Sequence, residues 1–139
     1  MNNEKVIQLF KQGDFELNKA REELYHPSED VVVYSVCMFA RSALYHYLVC
    51  LYILHSIEND DIIDETGTVE QLAEYCKKYN KGLQEVDLSP FQCRKKDVLS
   101  DDQFYYCNDI HHVTTCADLA ESIKNLVVKK AWGGKQPVF

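Results

Sequence analysis

The stretch VVVYSVCMFARSALYHYLVCLYILHS, residues 31–56, is apolar for most of its length and is interrupted by Arg41, Ser42 and His46. Residues 31–54 are apolar enough to raise the question of a membrane span. Arg41 and His46 near the middle argue against one, as does the lack of flanking basic clusters. The reading that follows is a buried helix over about 29–57 at the centre of an all-α bundle. At about 100° per residue, Val36, Ala40, Ala43, Tyr47, Cys50, Leu51 and Leu54 share a core face. Tyr34, Arg41, Tyr45 and Tyr52 form a second stripe, and Ser35, Ser42, His46 and Val49 a third. A helix that is apolar on more than one face needs more cover than a small bundle supplies, so a homodimer is expected.

Outward from this helix, residues 3–25 predict a first helix with Val6, Ile7, Leu9, Phe10, Leu17, Ala20 and Leu24 as apolar positions. Gly13-Asp14 is a candidate break, with Asp14 as an N-cap for a second part. HPSED at 26–30 reads as a loop in which Pro27 stops one helix and Ser28 or Asp30 caps the next. The acidic stretch 58–67 is a linker. Thr68 and Gln71 form a capping box for TVEQLAEYCKKY, which places Leu72, Cys76 and Tyr79 on one face, and Gly82 is a stop signal. Residues 83–100 read as irregular and carry Arg94-Lys95-Lys96. A last helix is expected over about 101–130, capped by Ser100 or Asp101, with Gly133-Gly134 ending it. Four helices on short connections, or five, make an antiparallel up-down bundle in a single domain, with a core over about 3–130 and a tail over 131–139.

Composition agrees with this reading. The chain has 139 residues, 46% hydrophobic and 27% charged, with only 5 Gly and 3 Pro. That is one domain with one core, poor in the turn formers of an all-β protein. The formal charge of −7 excludes a non-specific nucleic-acid coater, although a local basic patch can still act. The six cysteines, at 37, 50, 76, 93, 107 and 116, show no C-x-x-C pair. They read as free thiols in a reducing, cytoplasmic setting, and the N-terminus lacks a signal-peptide h-region.

Two groups of polar residues stand out. Arg41 and His46 point roughly 140° apart on their helix, yet long side chains could flank one cleft. A buried Arg must be paired or stacked, here by the tyrosine stripe and a carboxylate. His46 beside Ser42 reads either as a satisfied core polar group or as part of a site. On the last helix Asn108, His112, Cys116, Leu119, Ile123 and Leu126 share a stripe, so Asn108 and His112 extend an apolar face at i, i+4 spacing. They are either a buried hydrogen-bonded pair or catalytic groups. Asp109, His111 and His112 would be the ligands of a metal hydrolase, but adjacent histidines on a helix diverge by about 100°. No metal and no cofactor is expected.

The central helix YSVCMFARSALYHYLVCLYILHS and the helix TVEQLAEYCKKY together resemble the HEPN domains, small all-α bundles that are often dimeric. The resemblance spans about residues 3–130. In active members an R-x4-6-H motif, often with a polar residue after the Arg, makes a metal-independent ribonuclease site at the dimer interface. Asn108 and His112 match the Asn and His of that motif, while Cys107 stands where its Arg would be. Arg41 and His46 match R-x4-H on the second helix instead. The resemblance implies a dimeric module that binds a nucleotide, RNA or a protein partner without cleaving it. In that module Arg41, Tyr45, His46, Arg94, Lys95 and Lys96 would serve binding. The competing expectation is an endoribonuclease with His112 as acid or base and Arg41 or the 94–96 cluster on the phosphate.

Overall fold

The computed structural model describes residues 3–61, 67–92 and 109–135. Over these residues the chain is all-α. Helix α1 is Asn3–Leu24, α2 Val33–Glu58, α3 Val69–Tyr79, α4 Lys81–Gln84 and α5 Ile110–Trp132, and no strand occurs among the described residues. Two 3-10 turns, Ser28–Asp30 and Ser89–Gln92, lie in the connections.

The order of side-chain pairs along the helices fixes the topology. Arg21 meets Asp118 and Glu121, Asp14 meets Lys124, and Phe10 meets Trp132, so α1 and α5 run antiparallel. Glu16 meets Ser42 and His46 while Val6 meets Cys50, so α1 and α2 are also antiparallel. Helices α2 and α5 are parallel: Cys37 clusters with Val113 near their starts, and Glu58 pairs with Lys130 near their ends. The three long helices thus form a bundle in which α1 runs against both α2 and α5.

The core gathers around α2. Phe10, fully buried, lies 5.6 Å from the Tyr47 ring and 5.0 Å edge-on from Trp132, which joins α1, α2 and α5 at one point. All of the residues expected on the core face of α2 are buried except Leu54, which packs against the core from its edge. The second half of α2 is buried on nearly every side, from Tyr47 to Ile53 and again at His55 and Ser56. Helix α3 covers its outer side there, with Tyr52 5.0 Å edge-on from Tyr75. One chain thus covers most of the carboxyl-terminal half of α2 by itself. Exposed apolar side chains lie toward its start, at Val32, Tyr34 and Met38, and at its far end, at Ile57. Helix α2 is long and apolar enough to cross a membrane by length and composition, and 67% of its most apolar window is buried inside the bundle.

Several sequence expectations are corrected. Gly13 does not break α1. It sits where the Tyr47 ring crosses, and a Cβ there would lie 2.8 Å from Tyr47 Cε1. Asp14, instead of capping a helix, accepts a hydrogen bond from the Tyr47 hydroxyl and pairs with Lys124 at 3.1 Å. Helix α2 begins at Val33, not near 29: its N-cap is Val32, without a side-chain cap, because Ser28 and Asp30 belong to a separate 3-10 turn.

The capping box holds, with Gln71 N–H donating to Thr68 Oγ1 at 3.2 Å and Thr68 N–H to Gln71 Oε1 at 2.9 Å. Gly82 is not a stop. Helix α3 ends at Asn80, whose side chain accepts from Leu83 N–H and caps α4 around that glycine.

Helix α5 starts at Ile110, not near 101. Its cap is Asp109, whose Oδ1 accepts from the N–H groups of His111 at 2.9 Å and His112 at 3.2 Å. A carboxylate there satisfies otherwise unpaired amides and suits the positive end of the helix dipole. Gly133 in the left-handed region (φ 66°) ends the helix, as the sequence predicts.

Candidate functional site

Arg41 and His112 come together on the 3-10 turn Ser89–Gln92. The His112 ring reaches back from the first turn of α5, and its Nε2 lies 2.7 Å from the Pro90 carbonyl oxygen. A carbonyl only accepts, so Nε2 carries the proton. From α2, Arg41 Nη1 donates to the carbonyl of the next residue, Phe91, at 2.9 Å, and Nε donates to Cys37 Sγ at 3.4 Å. The guanidinium also lies 5.9 Å from the centre of the Phe91 ring. Cys116 Sγ approaches the Pro90 carbonyl at 3.8 Å. Phe91 itself is buried. The stacking expected for Arg41 is therefore present, on a phenylalanine from the loop.

The turn needs these partners. A 3-10 turn containing proline leaves carbonyls without helical partners, and buried carbonyls must be paired. A cation and an imidazole from two parallel helices supply the donors. This binds the start of the connection between α4 and α5 to the bundle.

His46 is placed elsewhere, on the α1 side of α2. Its Nδ1 lies 2.6 Å from Glu16 Oε1. Glu16 Oε2 accepts from Ser42 Oγ at 2.6 Å and from Gln12 Nε2 at 3.2 Å. Burial works to raise the Glu16 pKa, but the hydrogen bonds from His46, Ser42 and Gln12 outweigh it and hold the carboxyl below its ordinary value. A serine, a histidine and a carboxylate thus meet, but not as a nucleophilic triad. The hydroxyl donates to the carboxylate, so the imidazole is not placed to take its proton. The Tyr45 ring stands edge-on to the His46 ring at 5.6 Å.

The structure brings Arg41 and His112 together and keeps His46 apart from both. Tyr45 lies beside His46. Asn108, Arg94, Lys95 and Lys96, with Cys93 and Cys107, lie outside the described residues. Cys37, Cys50, Cys76 and Cys116 are buried thiols outside any disulfide, and burial pushes the Cys50 and Cys76 thiols up to about 12. Asp109, one of the residues weighed for a metal, is the cap of α5, and no group of three or more metal-ligating side chains forms among the described residues.

Sequence reasoning missed Glu16. It is 7% exposed and stands on the same side of α1 as Gly13 and Ala20, at i+3 and i−4. A carboxylate among small residues on a core-facing stripe is a signal that it has a dedicated partner. Reasoning also missed the polar end of α2. There buried His55 takes a hydrogen bond on Nε2 from Asn80 Nδ2 at 3.2 Å, and the Tyr75 hydroxyl donates to Asp61. Burial first, and the Lys130 charge second, lower the His55 pKa, so that ring is neutral and serves the packing of α2 against α3 and α4.

Comparison of the chain with family models, with curated proteins and with solved structures gives no match in any of the three.

Proposed function

We propose that the chain is a HEPN-like helical module that works by association, with a second copy and with a nucleotide, RNA or protein partner, and that it does not cleave RNA. The observation that supports this most directly is the His112 Nε2 bond to the Pro90 carbonyl. The proton that a general acid would deliver is engaged by the protein's own backbone, and Arg41 donates to the neighbouring carbonyl. Cys107 at the motif position of the Arg agrees with this reading. A second copy would dock on the start of α2, where Val32, Tyr34 and Met38 are exposed together.

One observation favours the competing reading, a metal-independent endoribonuclease. Arg41 and His112, from different helices, converge on two consecutive backbone oxygens, and an arginine and a histidine held that close could flank a phosphodiester. The experiment is an assay of the purified chain on mixed single-stranded RNA in the presence of a chelator, beside gel-shift binding of the same RNA and of labelled nucleotides. Binding without cleavage supports the module. Cleavage that disappears in His112→Ala, with an unchanged melting temperature, establishes the nuclease.

A further inference from the structure

We propose that His46 is a nucleophilic histidine that accepts a phosphoryl group on Nε2 from a small phosphodonor such as phosphoramidate. The inference is independent of whether the chain binds RNA.

The geometry carries it in three steps. First, the tautomer is fixed. Nδ1 faces Glu16 Oε1 at 2.6 Å, and a carboxylate only accepts, so a proton sits on Nδ1 and Nε2 is the ring nitrogen left to react. Second, the carboxylate cannot turn away. Ser42 and Gln12 hold its other oxygen, and its side chain is 9% exposed against 22% for the imidazole. The brace is thus buried, while the ring edge it supports reaches solvent. Third, the other described histidines differ. His112 has Nε2 on a carbonyl, His55 is 2% exposed and His111 is exposed on the first turn of α5, while His26 also has Nδ1 on a carboxylate, Glu23, but at 3.1 Å and with the pair more exposed, 55% and 20%.

Phosphoryl is the group this arrangement suits. Phosphoryl transfer passes through a loose transition state that asks mainly for an in-line, correctly protonated nucleophile, with a metal ion on the donor to offset its charge. In the step, the Nε2 lone pair forms an N–P bond as the P–N bond of the donor breaks. Ammonia leaves with a proton from solvent. The Nδ1 proton stays on the ring, where Glu16 stabilises the positive charge that develops during attack. Nothing is oxidised or reduced.

The test treats the full chain with phosphoramidate and magnesium ions at neutral pH. Adducts are mapped by peptide mass spectrometry and checked for the acid lability of phosphohistidine. His46 should be modified about tenfold faster than exposed His111, and Glu16→Gln, which keeps an acceptor for Nδ1 but removes the charge, should slow it by about tenfold. Thermal melts establish that each variant is folded. Modification that simply follows exposure, with His111 and His26 ahead of His46, overturns the proposal. So does the absence of an adduct on His46, or a folded Glu16→Gln variant that reacts at the wild-type rate.

Discussion

Arg41 and His112 hold the carbonyl oxygens of neighbouring residues, Phe91 and Pro90, from two parallel helices. Neither helix contacts that turn by apolar packing alone. The two polar side chains hold the turn against α2 and α5. Replacing His112 by Ala removes the only hydrogen bond its ring makes among the described residues and leaves the Pro90 carbonyl short of a donor. The expected loss of stability is about 1–3 kcal/mol. Urea denaturation followed by circular dichroism measures it. Arg41→Ala should cost at least as much, since it also removes the contact with the Phe91 ring.

Two glycines in helices should respond differently to alanine. At Gly13 the new methyl meets the Tyr47 ring at 2.8 Å, and that ring is fully buried with its hydroxyl held by Asp14. The ring cannot yield, so Gly13→Ala should destabilise by about 1–3 kcal/mol despite its better helix propensity. At Gly82 the new methyl meets Leu126 Cδ2, the end of a flexible, partly exposed side chain. Gly82→Ala should stay within about 0.5 kcal/mol of wild type. Melting temperatures of the two variants, taken side by side, check the contrast.

The Glu16 carboxyl has a lower pKa folded than its ordinary value of 4.5. A group lowered on folding stabilises the protein in full above its unfolded pKa, and that contribution fades as pH falls through the folded value. Below pH 4.5 the wild type should therefore lose stability more steeply than Glu16→Gln, and the two curves should converge at low pH. The measurement is melting temperature against pH from the neutral range downward. A variant curve as steep as the wild type would place the acid sensitivity in other carboxylates, such as Glu58 and Asp87, which also titrate low.

Cys50 and Cys76 should resist alkylation in the folded chain. Their thiols are fully buried and pushed up to about 12, so the reactive thiolate is scarce near neutral pH. Iodoacetamide labelling with peptide mapping should show both unmodified in native protein and both modified in urea.

Self-association should depend on the start of α2. Met38→Asp with Tyr34→Glu places two charges on the exposed face and should shift the chain toward monomer, with an unchanged fold by circular dichroism. Sedimentation velocity reads the outcome. A wild type that stays monomeric at micromolar concentration would remove the dimer from the proposed function.

Much of the helical framework is local in origin and legible in the sequence. The apolar run 31–56, the Thr68–Gln71 box and Gly133 each act within a few residues, so helix type and several ends follow from neighbouring side chains. What tertiary structure alone decided is which polar groups meet. Gly13 looked like a break because glycine weakens helices locally, yet it is the space through which Tyr47 packs. Asp14 looked like a cap, and its partner lies 33 residues away. Arg41 and His46 could be placed on different faces by helical arithmetic, but nothing in their own helix identifies Glu16 or the Pro90–Phe91 carbonyls. Those partners come from α1 and from the loop before α5. Periodicity reports the direction in which a side chain leaves its helix. The hydrogen-bond partner there is set by the antiparallel and parallel registers of the bundle, which arise from packing the whole chain around α2.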